Sequence, residues 1–130
     1  VSRQRFAAYL QNQLREGRRI RLTVSPKTRR DLVPVAFFCG VLREVLLRRV
    51  PGVFNVGSGR ATEVGDAARW LIEGFGAGEL VVESEARADE FLLDSAKLAR
   101  ALGLACGEGE VERALRDAGR QLAASSRAPE

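Results

Sequence analysis

The feature that most constrains the fold is the stretch VFNVGSGRAT, residues 53–62, near the middle of the chain. The leading VFNV predicts a short strand, Gly57 and Gly59 predict a tight turn, and Thr62 is typical of a helix N-cap. Dinucleotide and phosphate sites also begin with a strand, a glycine turn and a helix. The stretch therefore poses a choice between a binding site and a structural turn.

The glycine spacing argues against a phosphate loop. The dinucleotide fingerprint Gly-x-Gly-x-x-Gly needs its third glycine so that the helix can pack close to the strand, and Thr62 stands at that position. A Walker loop would need Gly-Lys-Ser or Gly-Lys-Thr, and neither triplet occurs in the chain. We interpret the glycines as a structural turn, with the Asn55 side chain bonding the turn backbone around Gly57 and Gly59.

Alternating helix and strand patterns surround this turn. Apolar periodicity predicts helices at 3–16, at 36–49, from Thr62 onward, at 96–102 and at 109–122. Short apolar or alternating runs predict strands at 18–24, 31–35, 53–56 and 79–84, with 91–94 extended. The predicted order is α-β-β-α-β-α-β-α-α, which indicates a mixed α/β fold of the α+β kind.

Size and composition indicate one folded domain. With 130 residues, of which 45% are hydrophobic and 29% charged, the chain can bury a real core. We expect one domain over 1–122 and a disordered tail over 123–130. No apolar run reaches the ~20 residues of a membrane span, and the N-terminus has no signal-peptide pattern, so we expect a cytoplasmic protein with no membrane partner. A start at Val1 favours a processed chain or a fragment.

Cysteine and charge usage narrow the function classes further. There is no histidine, and Cys39 and Cys106 lack metal-ligand spacing, so we expect no metal site and two reduced thiols. The net charge is +4, with nearly all basic residues being arginine, the side chain best suited to planar recognition of phosphate. The arginine pairs are scattered along the chain and form no long basic run, so we expect no nucleic-acid partner.

The order of the motifs resembles the C-terminal part of the NAD-dependent epimerase/dehydratase family. These are the extended short-chain dehydrogenases/reductases, which act on nucleotide-diphosphate sugars. The resemblance runs from about residue 6 to about residue 120, and three segments carry it: TRRDLVPV (28–35), GVFNVGSGRATEVGDAARWL (52–71) and RADEFLLDSAKLARALGL (87–104). Two family features are missing: Pro34-Val35-Ala36-Phe37 stands where relatives have His or Tyr, a Val and an acidic pair that opens the helix, and Leu104 stands in place of a tryptophan.

The resemblance implies a substrate-binding portion without its cofactor domain. Enzymes of this family carry an N-terminal Rossmann domain with a glycine-rich NAD site, followed by a catalytic Tyr-x-x-x-Lys. The only tyrosine here is Tyr9, and Gln13 stands four residues later. The chain therefore has no catalytic residues of its own, and we expect it to bind no cofactor alone, with NAD or NADP serving the parent enzyme. Whether it counts as an enzyme is left open.

The resemblance also implies site residues and partners. Arg30 and Arg87 match arginines that lie against the nucleotide diphosphate in relatives. The alternative for Arg30 is an ion pair with Asp31 or a neighbouring carboxylate, and for Arg87 a surface pair with Glu85 or Asp89.

The implied partners are a nucleotide-diphosphate sugar and the missing Rossmann domain, and a homodimer is a further option. A fragment should expose an apolar face on the 36–49 helix or the short strands. The alternative function is a small non-catalytic α/β protein that binds an anionic ligand or a protein partner.

Overall fold

The structure is a computed structural model that describes residues 5–83 and 86–127. Within these ranges there are five helices and five strands, in the order α-β-β-α-β-α-β-β-α-α. Their bounds are α1 Phe6–Gly17, β1 Arg19–Leu22, β2 Arg29–Asp31, α2 Val35–Arg48, β3 Ala61–Glu63, α3 Val64–Phe75, β4 Glu79–Val82, β5 Glu90–Phe91, α4 Ala96–Leu102 and α5 Glu110–Ser125. The mixed α/β class predicted from the sequence is confirmed.

The strands form two small sheets. In the first, β1 lies parallel to β4, with Ile20 opposite Leu80. In the second, β2 is the central strand, antiparallel to β3 and parallel to β5. Arg30 pairs with Thr62 on one side and with Phe91 on the other, so β2 joins two distant parts of the chain.

The main core lies between α1, β1, α3 and α5. Burial alternates along β1, where Ile20 and Leu22 are buried and Arg19 and Arg21 are exposed. The buried members of this core are Leu10, Leu14, Ile20, Leu22, Val64, Ala68, Leu71 and Phe75. The amphipathic helices predicted from the 3.6-residue period therefore turn their apolar stripes toward one another.

A second, smaller cluster of buried apolar residues lies between α2 and α4. Val41 is the buried residue of α2, and it packs with Leu98 and Leu102 of α4. Another face of α2 is exposed, and its apolar residues follow helical spacing at Val35, Phe38, Leu42 and Leu46. We call these four residues the α2 stripe. The exposed apolar face expected on the 36–49 helix is confirmed.

The stretch 53–62 differs from its predicted form. Residues 53–56 form no strand, because they pair with no other strand of the described chain. Their exposure nevertheless alternates, with Val53 and Asn55 exposed and Phe54 and Val56 partly buried. The strand comes after the glycines as β3, so Thr62 is not an N-cap. It pairs with Arg30, and Glu63 is the residue before α3.

Other boundaries also shift. The strand predicted at 31–35 is β2 at Arg29–Asp31, and Pro34 is the N-cap of α2, where its missing N–H costs nothing. The extended segment 91–94 is represented by β5, which adds a tenth element to the nine predicted. Helix α5 continues to Ser125, so residues 123–125, predicted as tail, are helical.

The last predicted residue of the strand at 79–84 lies outside the described residues, and β4 ends at Val82. In the described part of the chain, the helices are too short or too polar to cross a bilayer.

Candidate functional site

Arg30 lies on β2 with its side chain about one-third exposed. Its Nη1 donates two hydrogen bonds of 2.9 Å, to the backbone oxygen of Arg29 and to Oδ1 of Asp89. The neighbouring carboxylate that pairs with Arg30 is therefore Asp89 and not Asp31. Nη1 has two hydrogens, and both are used by these acceptors.

Asp89 reaches Arg30 because β5 runs parallel beside β2. The backbone N–H of Arg29 donates to the Asp89 carbonyl at 2.8 Å, which fixes the start of this strand pair. The hydrogen bond from Arg30 lowers the pKa of Asp89 below its usual value, against a smaller opposing effect of desolvation. The Asp89 carboxylate is 71% exposed, so the pair lies at the surface and adds little to stability.

Arg87 lies on the segment that leads into β5, two residues before Asp89. It is exposed, and no residue in 5–83 or 86–127 forms a hydrogen bond or ion pair with it. Asp89 pairs with Arg30 instead, and Glu85 lies outside the described residues. Arg30 lies opposite Phe91 of β5, and Arg87 precedes the start of β5 by three residues.

Asp31 fastens the glycine turn to this sheet. Its Oδ1 accepts the Ser58 N–H at 2.8 Å and lies 2.6 Å from the Ser58 hydroxyl oxygen, while Oδ2 accepts the Leu93 N–H at 3.1 Å. A Cβ at Gly57 would lie 2.5 Å from Asp31 Oδ2, so any larger residue there would have to displace this carboxylate. Asp31 therefore joins β2, the glycine turn and the segment after β5.

One backbone N–H of the glycine turn is not available to a phosphate. A phosphate bound there would need free backbone N–H groups, and the Ser58 N–H is already bonded to a carboxylate. Gly59 takes a left-handed conformation with φ of 75°, as a tight turn requires. Asn55 donates to the Asp94 carbonyl at 3.3 Å, so its contact is with the segment before α4 and not with the turn backbone.

Cys106 and Glu110 form a second polar contact that sequence reasoning missed. The Cys106 thiol donates to Glu110 Oε2 at 3.0 Å, and burial together with this carboxylate raises the pKa of Cys106 to about 11. The same bond lowers the pKa of Glu110. The thiol is thus protonated at neutral pH and suited to packing rather than nucleophilic chemistry. No cluster of metal-ligating side chains occurs among the described residues.

Arg30 is partly exposed and Arg87 is exposed. A polar cavity of about 470 Å³ beside Arg60, Trp70 and Cys106, and a larger one of about 720 Å³ between α2 and α5, contain neither Arg30 nor Arg87. The Tyr9 hydroxyl accepts a hydrogen bond from Gln13 at 2.7 Å within α1, which is a structural contact. A guanidinium group with free N–H donors is chemically suited to bind an anion.

The sequence matches no known protein family and no curated protein. The solved structures that are similar to the chain include TunA and RMD. The first is TunA, an NAD-dependent NDP-hexosamine 5,6-dehydratase involved in tunicamycin biosynthesis, with TM-score 0.73 and 24% identity over 93% of this chain and 40% of TunA. The second is RMD from Pseudomonas aeruginosa, solved with NADPH, with TM-score 0.71 and 16% identity over 92% of this chain and 42% of RMD.

The chain therefore spans less than half the length of either structure that it matches. At these identities the likeness establishes architecture. The protein has an epimerase/dehydratase-like fold, corresponding to the C-terminal part of such enzymes.

Proposed function

We propose that this chain is the substrate-binding part of an NAD(P)-dependent enzyme that acts on nucleotide-diphosphate sugars. Arg30 and Arg87 grip the diphosphate, and a separate Rossmann domain supplies the cofactor and the catalytic groups. In the parent enzyme the chemistry is epimerisation, dehydration or reduction of the sugar. The chain alone has no turnover.

The observation that carries the proposal is the pairing of β2 with β5. It pairs Arg30 with Phe91, in the strand whose leading segment carries Arg87, so residues far apart in the sequence belong to one strand pair and its approach. The Arg87 guanidinium has no partner in the described chain, and Arg30 uses only Nη1 for its own contacts. Two guanidinium groups with free N–H donors suit the several oxygens of a diphosphate.

The α2 stripe supports the cofactor-domain part of the proposal. Val35 is 77% exposed and Leu46 is 68% exposed, which is costly for a helix that remains in water. Nearby, residues 53–56 have the alternating exposure of a strand but no strand partner in the described chain. An open α/β sheet could accept this segment by strand addition while covering the stripe. The matched enzymes are more than twice as long as the part that this chain covers, which leaves room for such a domain.

The test of substrate binding is calorimetric titration of the chain with uridine and guanosine diphosphates. We expect saturable binding of at least one, weakened about tenfold in Arg30→Gln and in Arg87→Gln, because a hydrogen bond to a charged group contributes roughly 1.5 kcal/mol. Arg120→Gln is the matched control, since Arg120 is an exposed arginine paired with Asp117 on α5. Equal binding by all three variants would contradict the proposal, as would NADH-dependent turnover by this chain alone.

The test of docking uses the exposed Cys39 on α2 as a reporter. A monomer in sedimentation velocity whose Cys39 reacts at once with a thiol reagent supports a face left open for a different domain. A stable dimer with a protected Cys39 would assign the α2 stripe to a second copy instead. Leu42→Glu controls for the stripe itself, and it should lower the binding of an apolar dye without unfolding the chain.

A further inference from the structure

We propose that Asp89 is a positioning residue that holds the Arg30 guanidinium in the orientation needed to grip a phosphate. The inference rests on the proposed function and deepens it, because it assigns a role to a carboxylate that would otherwise repel the ligand. Asp89 would act on the orientation of the Arg30 guanidinium group and need not contact the ligand.

The geometry at Nη1 carries the inference. Both hydrogens of this nitrogen are engaged at 2.9 Å, one by the Arg29 carbonyl and the other by Asp89 Oδ1. Because a guanidinium is planar and rigid, fixing one terminal nitrogen at two acceptors fixes the plane of the whole group. The pair then favours one orientation of the guanidinium group before any ligand arrives.

The remaining edge of the group is free. Nε and Nη2 of Arg30 have no hydrogen-bond partner among residues 5–83 and 86–127. This edge carries parallel N–H donors, the fork that binds two oxygens of one phosphate. Asp89 therefore binds only Nη1 and leaves the Nε and Nη2 donors of Arg30 available to a ligand. The Arg30 side chain is about one-third exposed.

Asp89 can orient the Arg30 guanidinium group while contributing little to the stability of the fold. Its carboxylate is 71% exposed, and surface ion pairs contribute little to stability. Loss of the Asp89 carboxylate should therefore change how Arg30 is oriented while leaving the folded chain intact. The effect of Asp89 on ligand binding can therefore be measured separately from any effect on folding.

The experiment titrates inorganic pyrophosphate into the wild-type chain, Asp89→Asn and Asp89→Ala. Both variants remove the same negative charge, but the asparagine carbonyl can still accept a hydrogen bond from Nη1 and alanine cannot. We expect Asp89→Asn to bind pyrophosphate about threefold to tenfold more tightly than Asp89→Ala, since one hydrogen bond to a charged group is lost. The same pair of substitutions at Asp117, which pairs with Arg120 on α5, should show no such difference.

A second readout follows the guanidinium directly. In nitrogen-15 NMR spectra the Arg30 side chain should rotate slowly in the wild type and in Asp89→Asn, and freely in Asp89→Ala, with the same melting temperature in all three. Equal pyrophosphate affinity for the two variants, or free rotation in the wild type, would overturn the positioning role. Unchanged binding in Arg30→Gln would instead refute the proposed function, because that result does not depend on Asp89.

Discussion

Gly74 and Gly119 allow α3 and α5 to pack closely, and a methyl group added at either position should separate the two helices. A Cβ at Gly119 would lie 2.7 Å from the backbone nitrogen of Phe75 and closer still to the Leu71 carbonyl. A Cβ at Gly74 would meet the Arg116 carbonyl in the same way. These neighbours are helix backbone, which cannot rotate aside as a side chain could. Gly119→Ala must therefore push the helices apart.

The expected magnitude follows from two opposing effects. Ordinary contact begins near 3.4 Å, so the helices must separate by roughly 1 Å, and overpacking of this kind costs about 1–3 kcal/mol. Alanine in place of glycine inside a helix gives back about 0.5–1 kcal/mol. We expect Gly119→Ala to lower the free energy of unfolding by about 1–2 kcal/mol.

Urea unfolding followed by circular dichroism measures this change. The matched control is Gly40→Ala, because Gly40 lies inside α2 with nothing within 4 Å of its added methyl group. The control should raise the free energy of unfolding by about 0.5–1 kcal/mol. If Gly119→Ala were as stabilising as Gly40→Ala, the close crossing of α3 and α5 would be refuted.

Three further predictions concern other parts of the fold. Leu98→Ala should cost about 2–5 kcal/mol in urea unfolding and Leu46→Ala less than about 0.5 kcal/mol, because the first is buried and the second lies on the exposed stripe. Gly57→Ala should cost about 1–3 kcal/mol, since its methyl group would meet a carboxylate oxygen; a tolerated substitution would contradict the buried turn. The fold raises the pKa of Cys106 from 9.0 to about 11, so the unfolded chain loses this proton first. Stability should then fall as pH rises between those values, and Cys106→Ala should remove that slope.

Local patterns predicted the helices well because apolar periodicity depends on residues close in sequence. Helix α2 was expected at 36–49 and is found at Val35–Arg48, with its exposed stripe. The short strands were harder. Strand β3 follows the glycines because Thr62 pairs with Arg30, and that pairing depends on a segment about thirty residues away.

The contacts of the candidate site were also hard to predict, because they join residues far apart in the sequence. The resemblance pointed to Arg30 and Arg87, but the sequence left Asp31 and a neighbouring carboxylate open as partners of Arg30. The structure assigns Asp89 to Arg30 and leaves Asp31 to hold Ser58 and Leu93. Each of these contacts joins residues more than twenty positions apart, so no local pattern could have distinguished them.

Mapping of backbone amide shifts while a nucleoside diphosphate is titrated into the labelled chain would test substrate binding residue by residue. We expect the largest changes at Arg30 and along 86–91, with Gly57 and Gly59 nearly unmoved, and no comparable change with NADH. Changes centred on the glycine turn, or a response to NADH and none to the diphosphate, would contradict the claim that this chain is a substrate-binding part.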